Sequence, residues 1–143
     1  MQTALNSRPF FGWRVVSAAF VLAVFGWGVG FYGPPIFMQT VVERTGWPVA
    51  LVSAAVTTHY LVGVPVVANL PAIYRRLGIP LTTTVGSVLL AVGAVGWALA
   101  EQPWQLFVAS VASGWGWVTM GAAAVNALVA LWFVRARPRA LAA

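Results

Sequence analysis

The chain contains no cysteine, which excludes disulfide bonds and thiolate metal sites. Acidic residues are almost as scarce: the chain has two, Glu43 and Glu101, compared with eight basic residues, all of them arginine. One histidine and two acids do not supply the ligand cluster of a metal site or the nucleophile–base pair of an enzyme. We therefore expect a protein without catalytic activity, bound metal or cofactor.

Charge of either sign is rare, at 7% of 143 residues, whereas 61% of residues are apolar and the mean hydropathy is +0.88. Globular domains carry about 25% charged residues, which cover their polar faces. This composition indicates an all-α integral membrane protein whose main partner is the lipid bilayer. Although the net charge is +6, the arginines lie at the ends of apolar runs, so nucleic-acid binding is not expected.

Four long apolar segments predict four transmembrane helices within a single domain, 1–143. An apolar helix of about 20 residues is long enough to cross the hydrocarbon layer of a membrane. The predicted helices cover about 15–38, 48–73, 80–100 and 104–134. Between them we predict a short aqueous loop at 39–47 and a tight basic turn at 74–79.

The arginines alternate between the two sides of this topology. Segments that stay in the cytoplasm are enriched in basic residues. One side holds Arg44 with both acids, and the other holds seven arginines: Arg8, Arg14, Arg75, Arg76, Arg135, Arg137 and Arg139. The pattern predicts a multi-pass protein of the cell inner or plasma membrane with both termini in the cytoplasm.

The first predicted helix is unusually rich in residues that weaken helices. Glycines at 26, 28, 30 and 33 are followed by Pro34 and Pro35. Such a segment is tolerated in a membrane where neighbouring side chains or cavity water satisfy the freed backbone groups. We expect a loosened crossing that can move during transport. A kink is also expected in the second helix, which contains Gly63, Pro65 and Pro71.

His59 is the one ionisable acid or base predicted to lie inside a crossing. A charge at the membrane centre costs about 2.5–3.5 kcal/mol or more, so such residues are usually kept for function. With a reference pKa of about 6.5, His59 could bind a proton or an anion. The alternative is a neutral histidine that is hydrogen-bonded in the helix packing.

Other polar groups accompany His59. Ser53, Thr57 and Tyr60 share one face of the second helix, where they could line a polar cavity or bond to carbonyl groups. Three deeper tryptophans, Trp27, Trp115 and Trp117, are candidates for lining a cavity, with helix packing as the alternative. The tryptophans near the ends of the crossings are interpreted as interface anchors: Trp13, Trp47, Trp97, Trp104 and Trp132. The candidate substrate-binding residues are Tyr32, His59, Tyr60 and Asn126.

With this topology, the chain resembles the N-terminal part of a major facilitator superfamily transporter, close to its monocarboxylate and oxalate/formate porter-like branch. Gly-Trp pairs bracket the first helix at 12–13 and 46–47, and the predicted fourth helix contains a glycine-rich stretch at 113–116 and ends in an aromatic and basic motif at 132–135. The turn at 71–78 is similar to the end of the superfamily motif G-x-x-x-D-R-x-G-R-R. However, Arg75 stands in place of the motif's Asp, and Ser110 stands where an Arg often precedes the fourth helix's first glycine.

The resemblance implies a secondary carrier of a small organic solute, such as one similar to a monocarboxylate, that works by alternating access. Because the family has 12 helices, it also implies a fragment or truncated form whose partners are the missing transporter helices. Two alternatives stay open: a self-contained four-helix exporter or channel formed by several copies, and a remnant that does not transport.

Overall fold

The computed structural model describes residues 12–121, and these residues are helical, with no strand among them. The elements are α1 (Gly12–Phe25), a π-helical segment (Gly26–Phe31), α2 (Gly33–Thr45), α3 (Val49–Leu77), α4 (Ile79–Leu99) and α5 (Pro103–Met120). Three helical stretches are long and apolar enough to cross a membrane: Arg14–Phe31, Val49–Leu77 and Ile79–Leu99. This confirms that the described residues are all-α and include helices that could cross a membrane, whereas the four predicted crossings stay a prediction.

The predicted boundaries of the first helix were wrong at its C-terminal end. Instead of a loop over 39–47, α2 continues to Thr45 and is followed by a short connection to α3. Charged and polar residues at 39–45 are compatible with a helix, and the chain turns only at Gly46, which has a positive φ of 68°. Its N–H caps the helix on the carbonyl of Val42 at 2.9 Å.

The second predicted helix was also too short. α3 runs through Pro65 and Pro71 and ends at Leu77, so the predicted turn over 74–79 is reduced to Gly78. That glycine has φ 77° and donates its N–H to the carbonyl of Tyr74. Tyr74, Arg75 and Arg76 therefore belong to the last turns of α3, where arginines suit the negative end of the helix dipole.

The third predicted helix, 80–100, matches α4 to within one residue at either end. The fourth, predicted over 104–134, corresponds to α5 up to Met120, and its remainder lies outside the described residues.

α5 lies between α3 and α4 and contacts both, whereas those two helices contact each other little. Its glycines make this central position possible, because close helix approach in membranes requires small residues.

A buried apolar cluster holds the helices together at the end of the bundle where α2, α3, α4 and α5 meet. Its members are Val41, Val52, Ala55, Trp97, Ala100, Leu106 and Ala109. Trp97 is fully buried there, so its interpretation as an interface anchor was wrong. Beside this cluster the Arg44 guanidinium donates to the carbonyls of Ala98 and Ala100 near the end of α4. This contact places Arg44 and Glu101 at the same end of the bundle, as the topology predicts.

Candidate functional site

The site is built around a break in the first long helical stretch. α1 widens into the π-helical segment, in which Tyr32 N–H bonds to the carbonyl of Trp27 at 3.0 Å, five residues back. The carbonyl of Gly30 would bond to the N–H four or five residues on, but those positions are Pro34 and Pro35, which have none. Phe31 likewise has Pro35 four residues on. The sequence thus leaves two successive carbonyls without their regular helical donors.

Two successive side chains of α3 bond to these two carbonyls. Nε2 of His59 lies 2.8 Å from the Gly30 oxygen, and the Tyr60 hydroxyl donates to the Phe31 oxygen at 2.6 Å. His59 is completely buried, and Tyr60 is partly buried. Buried backbone oxygens within a membrane need such partners, so α3 completes the hydrogen bonding of the broken helix.

The other ring nitrogen of His59 faces α5. Its Nδ1 lies 2.8 Å from Oγ of Ser113, a buried hydroxyl that is also 3.2 Å from the carbonyl oxygen of Ser110. α5 comes this close because its next residue is Gly114, where any Cβ would collide with the backbone oxygen of His59. Three elements that are distant in sequence therefore converge on one imidazole.

The hydrogen positions follow from the partners. Since a carbonyl oxygen only accepts, Nε2 of His59 carries a hydrogen and donates it to Gly30. In the neutral ring Nδ1 is then an acceptor, and the Ser113 hydroxyl donates to it. Every polar atom of the imidazole is satisfied, which is the condition for burying a histidine at this depth.

Aromatic rings enclose this polar group. Trp117 stacks on the His59 imidazole with centroids 5.7 Å apart and planes 23° apart, and Tyr60 meets it edge-on at 5.0 Å. Phe31 contacts both Tyr60 and Trp117, at 6.0 and 5.7 Å. Position 30 requires glycine here, because a Cβ would overlap the Trp117 ring. The result is a water-poor environment around one titratable side chain.

A cavity of about 390 Å³ opens next to this aromatic shell. Tyr60 and Trp117 form its wall towards His59. The remaining lining comes from small and β-branched residues: Gly63, Val64, Val67, Ala68 and Val118. Its size lies within the range of about 300–1,000 Å³ found for sites of small organic ligands.

The structure brings two of the four candidate residues, His59 and Tyr60, together at the helix break. His59 and Tyr60 hold the broken helix directly, and Tyr32 follows the segment with its ring edge against Phe31 and 60% of its surface exposed. The fourth candidate, Asn126, lies outside the described residues. The three hydroxyl residues predicted on one face of the second helix, Ser53, Thr57 and Tyr60, do not act together. Thr57 bonds to the carbonyl of Ser53 in its own helix.

Sequence reasoning missed Ser113 and the Gly30 carbonyl as members of the site. A signal for Gly30 was present, since two adjacent prolines deprive the preceding carbonyls of donors. No sequence signal singled out Ser113, because its role depends on how α5 packs against α3. Trp117, a predicted candidate for cavity lining with packing as the alternative, both lines the cavity and packs against His59.

Within residues 12–121, no three His, Asp or Glu side chains come close enough together to hold a metal ion. Comparisons of the chain with protein families, with curated proteins and with solved structures found no match.

Proposed function

We propose that this chain forms part of a membrane carrier that moves a small organic solute by alternating access. The observation that supports it is the helix break at Gly26–Phe31, whose freed carbonyls are bound by His59 and Tyr60 next to a cavity of ligand size. Broken helices at membrane depth are typical of transporter binding sites. π-helical segments are likewise frequent at functional sites.

The depth of the site agrees with this proposal. His59 lies ten residues after Val49, the first residue of α3, which corresponds to about 15 Å of helix. Half of a hydrocarbon layer is also about 15 Å. If α3 crosses the membrane, the site lies near its midplane, where carriers bind solutes.

The two sides of the bundle differ in the way a carrier requires. The large exposed side chains of α4 are all aliphatic, which suits lipid: Leu81, Val85, Val88, Val92, Val95 and Leu99. The side formed by the π-helical segment and α3 also exposes aliphatic side chains such as Leu61 and Val64, but in addition it exposes the Tyr32 phenol and the Asn69 amide. We assign the first side to lipid and the second to the solute pathway and to the helices that complete the carrier.

The solute class is proposed from the resemblance to the major facilitator superfamily together with the cavity. A cavity of about 390 Å³ with one phenol and an indole in its wall suits a small, partly apolar molecule such as a monocarboxylate. In this proposal the chain supplies four crossings in the inner or plasma membrane, with both termini in the cytoplasm, and the remaining helices form the opposite wall.

Uptake by membrane vesicles from the source cells tests the proposal. We expect uptake of at least one labelled two- to four-carbon monocarboxylate to be lost on deletion of the gene. Val67→Trp, which fills the cavity, should have the same effect, whereas the matched Val92→Trp on the aliphatic side of α4 should leave uptake intact.

Two results would contradict this proposal. If deletion of the gene changed the uptake of none of the two- to four-carbon monocarboxylates, the result would favour a remnant that does not transport. Alternatively, the purified chain could form a symmetric oligomer that conducts solutes alone and tolerates Val67→Trp, which would favour the exporter or channel.

A further inference from the structure

The hydrogen bonds around His59 are arranged so that the ring can gain a proton without losing a partner. In the neutral ring, Ser113 donates its hydroxyl hydrogen to Nδ1 over 2.8 Å. When a proton is added to Nδ1, that N–H donates to Oγ of Ser113 instead. The hydroxyl hydrogen then turns to the Ser110 carbonyl, 3.2 Å away. Nε2 donates to Gly30 throughout.

This reversal requires a partner that both donates and accepts, which a hydroxyl does and a carbonyl or amide N–H does not. A purely structural histidine needs only one fixed donor or acceptor at each nitrogen. The Ser113 hydroxyl, with a second acceptor at Ser110, supplies both arrangements. By rotating its hydroxyl hydrogen, Ser113 can therefore hydrogen-bond to both the neutral and the protonated form of His59.

Two groups next to the ring favour an added charge in the absence of an acidic partner. Trp117 stacks on one face, where an indole stabilises a cation, and the Gly30 carbonyl points its negative end at Nε2. Among the elements packed on His59, α3 contributes one neighbouring titratable group, Tyr60. The π-helical segment and α5 contain no ionisable side chain. No carboxylate competes for the proton there.

We propose that His59 is the proton-binding site of the carrier and that its protonation controls how firmly α3 holds the broken helix. The inference rests on the proposed transport function and names the proton as the coupling ion. A hydrogen bond from a charged donor is roughly twice as strong as a neutral one, so the bond to Gly30 tightens when the proton binds. Release of the proton weakens this bond and frees the helix break to move.

The single histidine of the chain allows a direct test that needs no substrate. Protein labelled with ¹⁵N-histidine is reconstituted in lipid, and its ring nitrogens are followed by NMR from about pH 4 to pH 9, a range that brackets free histidine. We expect the Nε2–H tautomer at high pH and one step to the doubly protonated ring as the pH falls. A ring that never titrates, or a neutral Nδ1–H tautomer, would overturn the proposal.

The coupling to the helix break is tested with a nitroxide on Gly28→Cys. The chain has no native cysteine, and a side chain at Gly28 meets nothing within 4 Å. We expect the mobile fraction of the spectrum to rise at least about twofold from low to high pH, following the NMR step. A matched label on Val92→Cys in α4 should not change.

His59→Gln keeps a donor for the Gly30 carbonyl but cannot take up a proton, so the Gly28 label should lose its pH dependence. Ser113→Ala provides a second variant if the glutamine protein does not fold. A pH response that persists unchanged in either variant would refute the coupling. Because both spectra are recorded without solute, the transport proposal can fail in the vesicle experiment while the proton site holds, and the reverse.

Discussion

At the scale of single residues, the site depends on two proline nitrogens that carry no hydrogen and therefore cannot donate to backbone carbonyls. Pro34 and Pro35 remove two donors from the helix, and His59 and Tyr60 replace them from a neighbouring helix. Tyr60 also lines the cavity together with Trp117, and His59 packs against both of these rings. Residues that satisfy the backbone therefore also lie where a solute would bind.

Tyr60→Phe measures the value of one of these bonds. The variant keeps the ring contacts but leaves the Phe31 carbonyl without the phenol, so we expect the free energy of unfolding to fall by about 1 kcal/mol. Reversible unfolding in mixed detergent micelles, followed by circular dichroism, gives the number. Thr57→Val is the matched control, since its hydroxyl bonds only within α3 and its loss should change stability by less than about 0.5 kcal/mol. Equal losses in the two variants would show that the bond between the helices contributes nothing special.

At the scale of elements, two features depend on glycine and proline in opposite ways. In the first helical stretch, glycines and prolines interrupt the regular α-helical hydrogen bonding. In α4 and α5, glycines allow two regular helices to pack closely. A Cβ on Gly93 would lie 2.5 Å from the backbone nitrogen of Ser113, and one on Gly116 would collide with the backbone of Leu90. The same residue type thus produces a break or a tight contact, according to its neighbours.

The double variant Pro34→Ala, Pro35→Ala tests the origin of the break. It restores two N–H groups to the helix, so the Gly30 carbonyl gains a local donor that competes with His59. Spin labels at Phe20→Cys and Thr40→Cys, both at exposed positions, should show a narrower distance distribution than in the native chain. The control is Pro80→Ala, which lies in the first turn of α4, where a missing N–H costs nothing, and should leave the distribution unchanged. A distribution that stays as broad in the double variant would assign the break to the glycines.

Gly116→Ala tests the contact between α4 and α5. Because the added methyl has no space against the Leu90 backbone, we expect a loss of about 1–3 kcal/mol in the free energy of unfolding. Unfolding of the purified protein in detergent micelles measures it. Gly28→Ala, whose methyl meets nothing within 4 Å, is the control and should not be destabilised by crowding. Loss of stability in Gly28→Ala alone would mean that the helices are not packed as described.

At the scale of the whole molecule, the charges lie at the two ends of the bundle. Arg44 bonds to the carbonyl of Ala100, the residue before Glu101, and Arg75 and Arg76 lie at the end of α3. The apolar lengths of α3 and α4 between these ends suit a membrane crossing. The proposed orientation assigns the second end to the cytoplasm.

Labelling of single cysteines tests this orientation. In sealed right-side-out vesicles, a membrane-impermeant maleimide should label Glu101→Cys readily and Arg76→Cys only after the membrane is opened, because the two positions lie at opposite ends of the bundle. Both residues are exposed, which makes the pair a matched comparison. Equal labelling of the two positions in sealed vesicles would contradict the proposed crossing.

The sequence by itself determined that residues 12–121 are helical and include segments apolar enough to cross a membrane, because length and hydropathy are properties of each segment alone. It also determined the helix break, since adjacent prolines remove donors in any fold, and it drew attention to His59 because a histidine in an apolar run is costly. Local sequence did not determine where α2 and α3 end, because polar residues can extend a helix beyond the bilayer. Only the tertiary structure decided the partners of His59. Ser113 is 54 residues away in sequence and Gly30 is 29, and their contacts exist because Gly114 lets α5 approach the backbone of α3.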